Sequence, residues 1–423
     1  MIPLEEARAF VLGSCATLPP GSVALDDALG CVTASAVVAT DSVPPFMNSS
    51  MDGYAVRSED LAAASPSDPV HLEVIGTILA GSPGGPVVGP GQAARIMTGA
   101  PLPPGTDAVC MLEVCVAESD GAVVVIGGPA DPGAFVRTVG QDVAAGDVVV
   151  TAGTPLTPAH LGSIANQGMD VVVVHPRPRV GVLSTGDELV EAGHPLGPGG
   201  IRDANRHSLL ALVRQEGWEP VDLGIVGDDG PAVTAALDGA AARCDAVLTS
   251  GGVSVGDADV VKTVLRERCG GTMRWLQVAI RPAKPFAFGL LEASATPVFG
   301  LPGNPVSAMV SFELFVRPAV RMMAGHPVID RLTVPARVVG PLGRRPDGKM
   351  HFVRSLLSLD DSGAWWVRPL VGQESHQLSV MATANALIEL PDGDGVGAGD
   401  IVHVLVIAPE RVGIAGVPVV VGA

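Results

Sequence analysis

The period of apolar and polar positions changes several times along the chain, and each change marks a boundary. Residues 1–46 open with a helical pattern, LEEARAFVL, and a second short helix is expected around LDDALGCVTASAV. PPFMNSSMDGYAVRSEDL breaks that period. From 47 to 137 short β-rich runs follow (HLEVIGTIL, AARIMTGA, DAVCMLEV, AVVVIGG), separated by Gly/Pro turns such as AGSPGGP and PLPPGTD. Residues 138–175 return to a strand and then a helix, rejoining the first segment as one discontinuous, elongated domain. From 176 to 327 the alternation becomes regular. RVGVLST, PVDLGIVG, DAVLTS, MRWLQVAI, PFAFGLL and TPVFGL read as strands. HSLLALVRQEG, PAVTAALDGAAARC, ADVVKTVLRERCG and PVSAMVSFELFVRPAVRMMAG read as helices. Fully apolar strands alternating with helices predict a doubly wound, mostly parallel sheet. Residues 328–423 return to short strands between turns at PDG, DDSG and PDGDG, which predicts an all-β, barrel-like domain. The fold class is therefore α/β multidomain.

Composition narrows the partners. With 44 acidic and 26 basic residues the net charge is −18, and no Lys/Arg cluster offers the basic face that nucleic acid requires. Six scattered cysteines form no C-x-x-C pair, which fits reduced thiols and argues against a zinc site. The N-terminus lacks a signal-peptide pattern, and no apolar run approaches the roughly 18 residues of a membrane span. A cytoplasmic protein is expected.

In a doubly wound sheet ligands bind beyond the carboxyl ends of the strands. Four such ends carry unusual loops: STGDE (Asp187, Glu188), GDD (Asp228, Asp229), SGGVSVGDAD (Ser250 to Asp259) and LPGNPVS (Asn304, Ser307). Glycines let backbone N–H groups approach an anion, and a following helix N-terminus adds a favourable field. Carboxylates beside an anion conflict with it unless a cation intervenes. Mg²⁺, held by one or two carboxylates and substrate oxygens, resolves the conflict, with Arg281, Lys262 and Lys284 nearby in sequence. Individually GDD and STGDE are ordinary turn and cap sequences; it is their expected convergence on one rim that points to a phosphorylated or oxyanionic ligand. No P-loop, dinucleotide fingerprint or G-x-S-x-G elbow is present, and the isolated histidines His160, His207, His351 and His376 read as surface or packing residues.

NSSMDGYAV (48–56), RIMTGAPLPPGTDAV (95–109), STGDELV (184–190), SGGVSVGDAD (250–259), RPAKPFAFG (281–289) and LPGNPVSA (301–308), with VRSLL and GQESHQLS later, closely resemble the molybdopterin molybdenumtransferase family, which comprises bacterial MoeA and the gephyrin E domain. The resemblance runs in order over nearly the whole chain. It implies a homodimer whose cleft lies between the third and fourth domains of one subunit and the second domain of the other. The implied reaction is Mg²⁺-dependent insertion of molybdate into adenylylated molybdopterin with release of AMP. It further implies catalytic roles for Asp52, Thr98, Asp142, Glu188, Asp228 and Asp259, with Asp228, Asp257, Asp259 and Glu188 as candidates for the metal. Substrate contacts fall to Ser250, Gly251, Gly252, Ser254, Gly256, Asp257, Arg281, Lys284, Pro302 and Asn304, and in the fourth domain to Arg354 and Ser375. The molybdopterin adenylyltransferase that makes the substrate is a conceivable delivery partner.

The chain departs from the family pattern in three places. The usual K-P-G-K-P reads Arg281-Pro282-Ala283-Lys284-Pro285, GED reads Gly140-Gln141-Asp142, and Gln277 stands where a basic residue is common. These bear on how an anion is held and on molybdate against tungstate. Two other readings compete. An adenylyltransferase for the preceding step uses SGGVSVGD equally well but leaves MDGYA, RIMTGAP and the fourth domain unexplained; a non-catalytic cofactor-holding scaffold is the second.

Overall fold

The computed structural model describes residues 1–252 and 260–414. In the first region Val171–His175 is the central strand of a three-stranded sheet, flanked by Gly21–Ala24 and Val32–Thr33. Its alternation is strict: Val172 and Val174 are buried with Ile164, Leu156 and Cys31, while Val171 and Val173 face outward. The helix Pro158–Ala165 packs on this core, its start closed by Thr157 and His160, whose side chains cap each other's backbone N–H groups. LDDALGCVTASAV corrects the sequence reading. It forms one 3-10 turn, Leu25–Asp27, and then two short strands, Val32–Thr33 and Val37–Val38. Gly30, at φ 79°, turns the chain where a helix would have continued, and the strands find partners at His175 and Val150.

Residues 48–137 carry a six-stranded sheet in the order Ala108–Met111, Gly53–Val56, Gln92–Ile96, Val70–Ile78, Val123–Ile126, Cys115–Glu118. Gly53 lies between two neighbouring strands so closely that a Cβ there would run into the Cys110 carbonyl oxygen. That contact explains the glycine in MDGYA.

The doubly wound sheet has the order Glu219–Val226, Arg179–Thr185, Ala246–Ser250, Pro297–Leu301, Pro285–Leu290, Arg274–Gln277. The first four strands are parallel; Pro285–Leu290 runs antiparallel to Pro297–Leu301, and Arg274–Gln277 antiparallel to Pro285–Leu290. Both faces are covered. Val180, Val182, Leu248 and Phe299 pack with Leu209, Val213, Phe312 and Phe315, whereas Val247, Val298 and Ala287 pack with Leu237, Val261 and Leu265. The helix Ala204–Gln215 starts at the Asp203 cap and ends before Gly217 at φ 78°. Pro231 occupies the first turn of Gly230–Ala241.

The first helix, Leu4–Ser14, packs on this third region: Ala7 and Val11 belong to its core, and Phe10 meets Phe288 edge-on at 5.7 Å. Ile2 also exchanges backbone hydrogen bonds with Gln277 and Ala279, both at 2.8 Å.

In the C-terminal region Met350–Leu359, Trp365–Pro369, Thr333–Val338, Ile401–Val406 and Ala386–Leu390 follow one another around a barrel, which Met350–Leu359 closes by pairing with Ala386–Leu390. Closure leaves no edge among these five strands. Val334, Val353, Val367, Ile388 and Val404 fill the interior. Ile280–Arg281 pairs with Met350–His351, so the segment carrying Arg281 and Lys284 bridges the doubly wound sheet and the barrel.

Candidate functional site

The strand order places Arg179–Thr185 between Glu219–Val226 and Ala246–Ser250, so the loops after all three emerge at one rim, joined by the loop after Pro297–Leu301. This is the end at which open α/β sheets bind ligands. The loops are tied to one another by specific contacts. Gly251, at φ 101°, donates its N–H to Leu301 O at 3.2 Å, and a Cβ there would stand 2.8 Å from Thr185 O. Gly252, at φ 69°, lies against Val261, 2.6 Å from where its Cβ would be. Both positions therefore need glycine for conformation and for space.

The acidic loops are joined too. Asp187 Oδ1 accepts the backbone N–H of Asp228 at 3.0 Å. Asp229 caps Gly230–Ala241, its Oδ2 accepting from Ala232 N at 3.0 Å. The Glu188 carboxylate folds back over Gly186, 2.5 Å from where a Cβ would lie, and Gly186 has φ 145°. Glu188, Asp228 and Asp229 are exposed. Asp187 was expected on the rim but given no role of its own; its part in joining two loops is a tertiary fact.

Lys284 precedes the strand Pro285–Leu290, whose antiparallel register with Pro297–Leu301 (Ala287 opposite Gly300) brings it to the same rim. Ala283 is buried at φ 75°, so the turn keeps a glycine-like conformation with a methyl group on it. Arg281 forms an ion pair with Glu374 at 3.5 Å, linking this segment to the barrel loop. Pro302 is buried, and Asn304 starts the helix Pro305–Ser311 without a side-chain capping bond. Ser375 approaches from the barrel: its carbonyl oxygen accepts the N–H of Val306 at 3.1 Å.

Arg354 is 1% exposed and serves the same loop from beneath. Its Nη1 donates to Glu374 O at 3.0 Å, Nη2 to Gly372 O at 3.2 Å and Nε to Gln373 Oε1 at 3.2 Å. Burial pulls its pKa below the usual arginine value. In this arrangement Arg354 shapes the loop that presents Glu374 and Ser375. Between that loop and the bridging segment lies a cavity of about 430 Å³, lined by Arg281, Arg344, Arg345, His351 and Gln373 among others. His351 was expected to be isolated, but it contacts Asp347 at 3.2 Å.

Asp52, Thr98 and Asp142 are not brought to this rim. Asp52 Oδ1 accepts both the backbone N–H of Thr98 at 2.7 Å and its hydroxyl at 2.8 Å. Those two bonds hold the exposed Asp52 carboxyl below the ordinary carboxylate pKa. Asp142 is exposed on the loop that rejoins the first region, its N–H donating to Val43 O at 2.9 Å. Ser254, Gly256, Asp257 and Asp259 lie outside the described residues. Asn205 was missed altogether. Its Nδ2 donates to Ser250 Oγ and to Gly303 O, each at 2.7 Å, tying the SGG and LPGN loops together. The sequence hint was weak: an asparagine in the first turn after the Asp203 cap.

Among the described residues no group of three or more His, Cys, Asp and Glu side chains is arranged to hold a metal, and no helix is long and apolar enough to cross a membrane.

Residues 2–168 match the family model described as the MoeA N-terminal region (domain I and II), 181–322 the probable molybdopterin binding domain, and 344–407 the MoeA C-terminal region (domain IV). The chain is 41% identical over 398 residues to molybdopterin molybdenumtransferase 2 of Mycobacterium tuberculosis, covering 93% of this chain and 96% of that one. It is 37% identical over 407 residues to the molybdopterin molybdenumtransferase of Haemophilus influenzae, covering 96% and 98%. Its fold is similar to the crystal structure of the molybdopterin biosynthesis moeA protein from Pyrococcus horikoshii OT3, with a TM-score of 0.77 at 29% identity, covering 96% and 100% of the two chains.

Proposed function

The chain belongs to the MoeA family of molybdopterin molybdenumtransferases, and from that premise we propose that it inserts molybdate into adenylylated molybdopterin, releasing AMP. The observation that carries the reading is the convergence of STGDE, GDD, SGG, LPGN and the Arg281–Lys284 segment on one rim. The rim offers a lysine and an arginine for anionic ligands, with carboxylates interleaved. Both substrates are anions, so positioning and charge compensation are the main demands on the protein.

Mg²⁺ fits this donor set. Glu188 and Asp228 are exposed carboxylates on adjacent loops, and Mg²⁺ takes hard oxygen ligands, commonly one or two carboxylates plus substrate oxygens and water. A protein-only cage of three ligands is not needed. Asp187 would orient the Asp228 loop through its hydrogen bond, and Asp257 and Asp259 are the further candidates from the sequence. When bound, the ion would offset the negative charge of the phosphate link.

The protein's own groups have separable tasks. Gly251 and Gly252 let the loop turn tightly against Thr185 and Val261, and Lys284 offers a cation at the phosphate side. The loop at Glu374 and Ser375, anchored by Arg354, borders the cavity beside Arg281 in which an oxyanion would sit. Asp52 and Thr98, held in one geometry by two short hydrogen bonds, would complete the site from a second subunit, since they lie away from the rim of their own chain. The adenylyltransferase reading is not favoured, because the relatives match across the whole chain rather than the third region alone, and the scaffold reading is not favoured, because those relatives are named as transferases.

The test is single-turnover release of AMP from adenylylated molybdopterin and Mg²⁺, with and without molybdate, the pterin product being assayed for bound metal. Molybdate-dependent release with metal gain is expected, and Asp228→Asn should slow it by about 100-fold, in the range for losing one electrostatic catalytic contact. Release that ignores molybdate, or binding without release, would overturn the transferase reading. Sedimentation at micromolar protein should show a dimer; a monomer with full activity would remove Asp52 and Thr98 from a shared site.

A further inference from the structure

We propose that Asn205 is a positioning residue that fixes the Ser250 hydroxyl as a hydrogen-bond donor toward an oxygen of the bound pterin phosphate. The inference rests on the function proposed above and assigns to Asn205 a part in holding that substrate.

The orientation of the Asn205 amide follows from chemistry. An asparagine's nitrogen and oxygen are distinguished by their partners. Here one partner, Gly303 O, can only accept, so the NH₂ must face it. The other Nδ2 hydrogen goes to Ser250 Oγ at 2.7 Å. Both amide hydrogens are thereby used, and the amide cannot flip without setting two oxygens against each other.

The consequence falls on Ser250. Its Oγ receives a hydrogen bond, so its own proton must point elsewhere, and among the described residues nothing accepts it. Ser250 is 3% exposed and sits at the carboxyl end of Ala246–Ser250, beside Gly251. A buried hydroxyl with its proton unaccepted favours a ligand oxygen at that place. Asn205 is itself held firmly: Asp203 Oδ1 accepts from Ser184 Oγ at 3.0 Å and from Arg206 N at 3.1 Å, and Asp203 Oδ2 from Arg206 Nε at 3.0 Å. The helix start is thus fastened to the strand Arg179–Thr185. Its N-terminal N–H groups add a favourable field for an anion.

Asn205→Ala tests this by removing the donor to Ser250 Oγ without placing a negative charge beside the anion. Without that bond the Ser250 hydroxyl can turn its proton away from the ligand. Binding of metal-free molybdopterin, followed by tryptophan fluorescence, and KM and kcat for AMP release would be measured for wild type, Asn205→Ala, Ser250→Ala and the double variant. Each single change should weaken binding about tenfold and raise KM more than it lowers kcat. The double variant should bind within twofold of Ser250→Ala, because the two residues act through one hydrogen bond. Asn205→Ala binding within twofold of wild type would overturn the proposal, as would effects of the two changes that multiply. Should Asn205→Ala fail to fold in urea titration, Asn205→Ser is subjected to the same coupling test with the same criteria. A wild type that binds the pterin but releases no AMP overturns the transferase reading, while the coupling measured on binding still decides this one.

Discussion

Two groups of acidic residues in the third region are built to opposite ends. Glu216 and Glu313 lie inside, with side chains 5% and 4% exposed, and are met by Arg317, Arg321 and Arg331 at distances of 2.8 to 3.4 Å. These residues come from the end of Ala204–Gln215, from the helical stretch 305–323 and from the connection into the barrel, so the cluster joins three segments. At the rim Asp187, Glu188 and Asp229 are exposed, and among the described residues none of the three has an arginine or lysine ion-pair partner. Asp187 and Asp229 instead accept backbone N–H groups. Charge that the protein neutralises internally fastens the fold. Charge that it leaves at the mouth of a site, beside glycines and a lysine, is available to a cation and an anionic substrate.

The comparison can be broken most forcefully at Glu216. Replacing it with alanine leaves three buried guanidiniums facing one carboxylate, and should cost about 3–5 kcal/mol of unfolding free energy by urea titration. Glu188→Gln, on the exposed rim, should change stability by under about 0.5 kcal/mol. Equal losses of stability in the two variants would erase the distinction.

A smaller effect comes from His326, whose Nδ1 lies 3.2 Å from Arg321 Nη2. Burial, with Arg321 beside it, pushes its pKa down to about 4 from the ordinary 6.5. Its folded-state pKa is thus below its unfolded value, so the unfolded chain binds the proton first. The stability this residue contributes is present above about 6.5 and is lost as pH falls toward about 4. His326→Gln should flatten the stability profile across that window by about 1–2 kcal/mol, because partial exposure screens the site, with turnover at pH 8 unchanged. An unaltered slope would show that the buried cluster tolerates a further positive charge.

The smallest effect is expected at Ala283. Its φ of 75° is disfavoured for a residue with a Cβ, although the methyl is buried. Ala283→Gly should raise stability by about 0.5–1 kcal/mol in thermal or urea melts. A loss would mean that packing of the methyl outweighs the backbone.

Much of this protein was legible before any coordinates. The apolar strands at 179–185, 246–250 and 297–301 and the amphipathic helices between them carry their periods in the sequence, because burial on one or two faces is a local pattern. The four rim loops could be located because parallel topology sends successive strand ends to one side. The expected helix at LDDALGCVTASAV failed because spacing alone could not weigh the turn at Gly30 or the distant strands that captured Val32 and Val37. The chain's first helix reads as amphipathic from LEEARAFVL, but nothing in it says that Phe10 meets Phe288.

What the sequence determined by itself, then, was the alternation of elements, the glycines demanded by Gly251 and Gly252, and the set of residues from which a phosphate- and cation-handling site could be made. The tertiary structure decided which of them meet. It buried Arg354 under the loop of Glu374 and Ser375, joined Asp187 to the Asp228 loop, and set Asn205 between Ser250 and Gly303, 45 and 98 residues further along the chain. Periodicity records whether a side chain faces inward; a hydrogen bond between distant loops depends on distances and angles that only the packed sheet fixes.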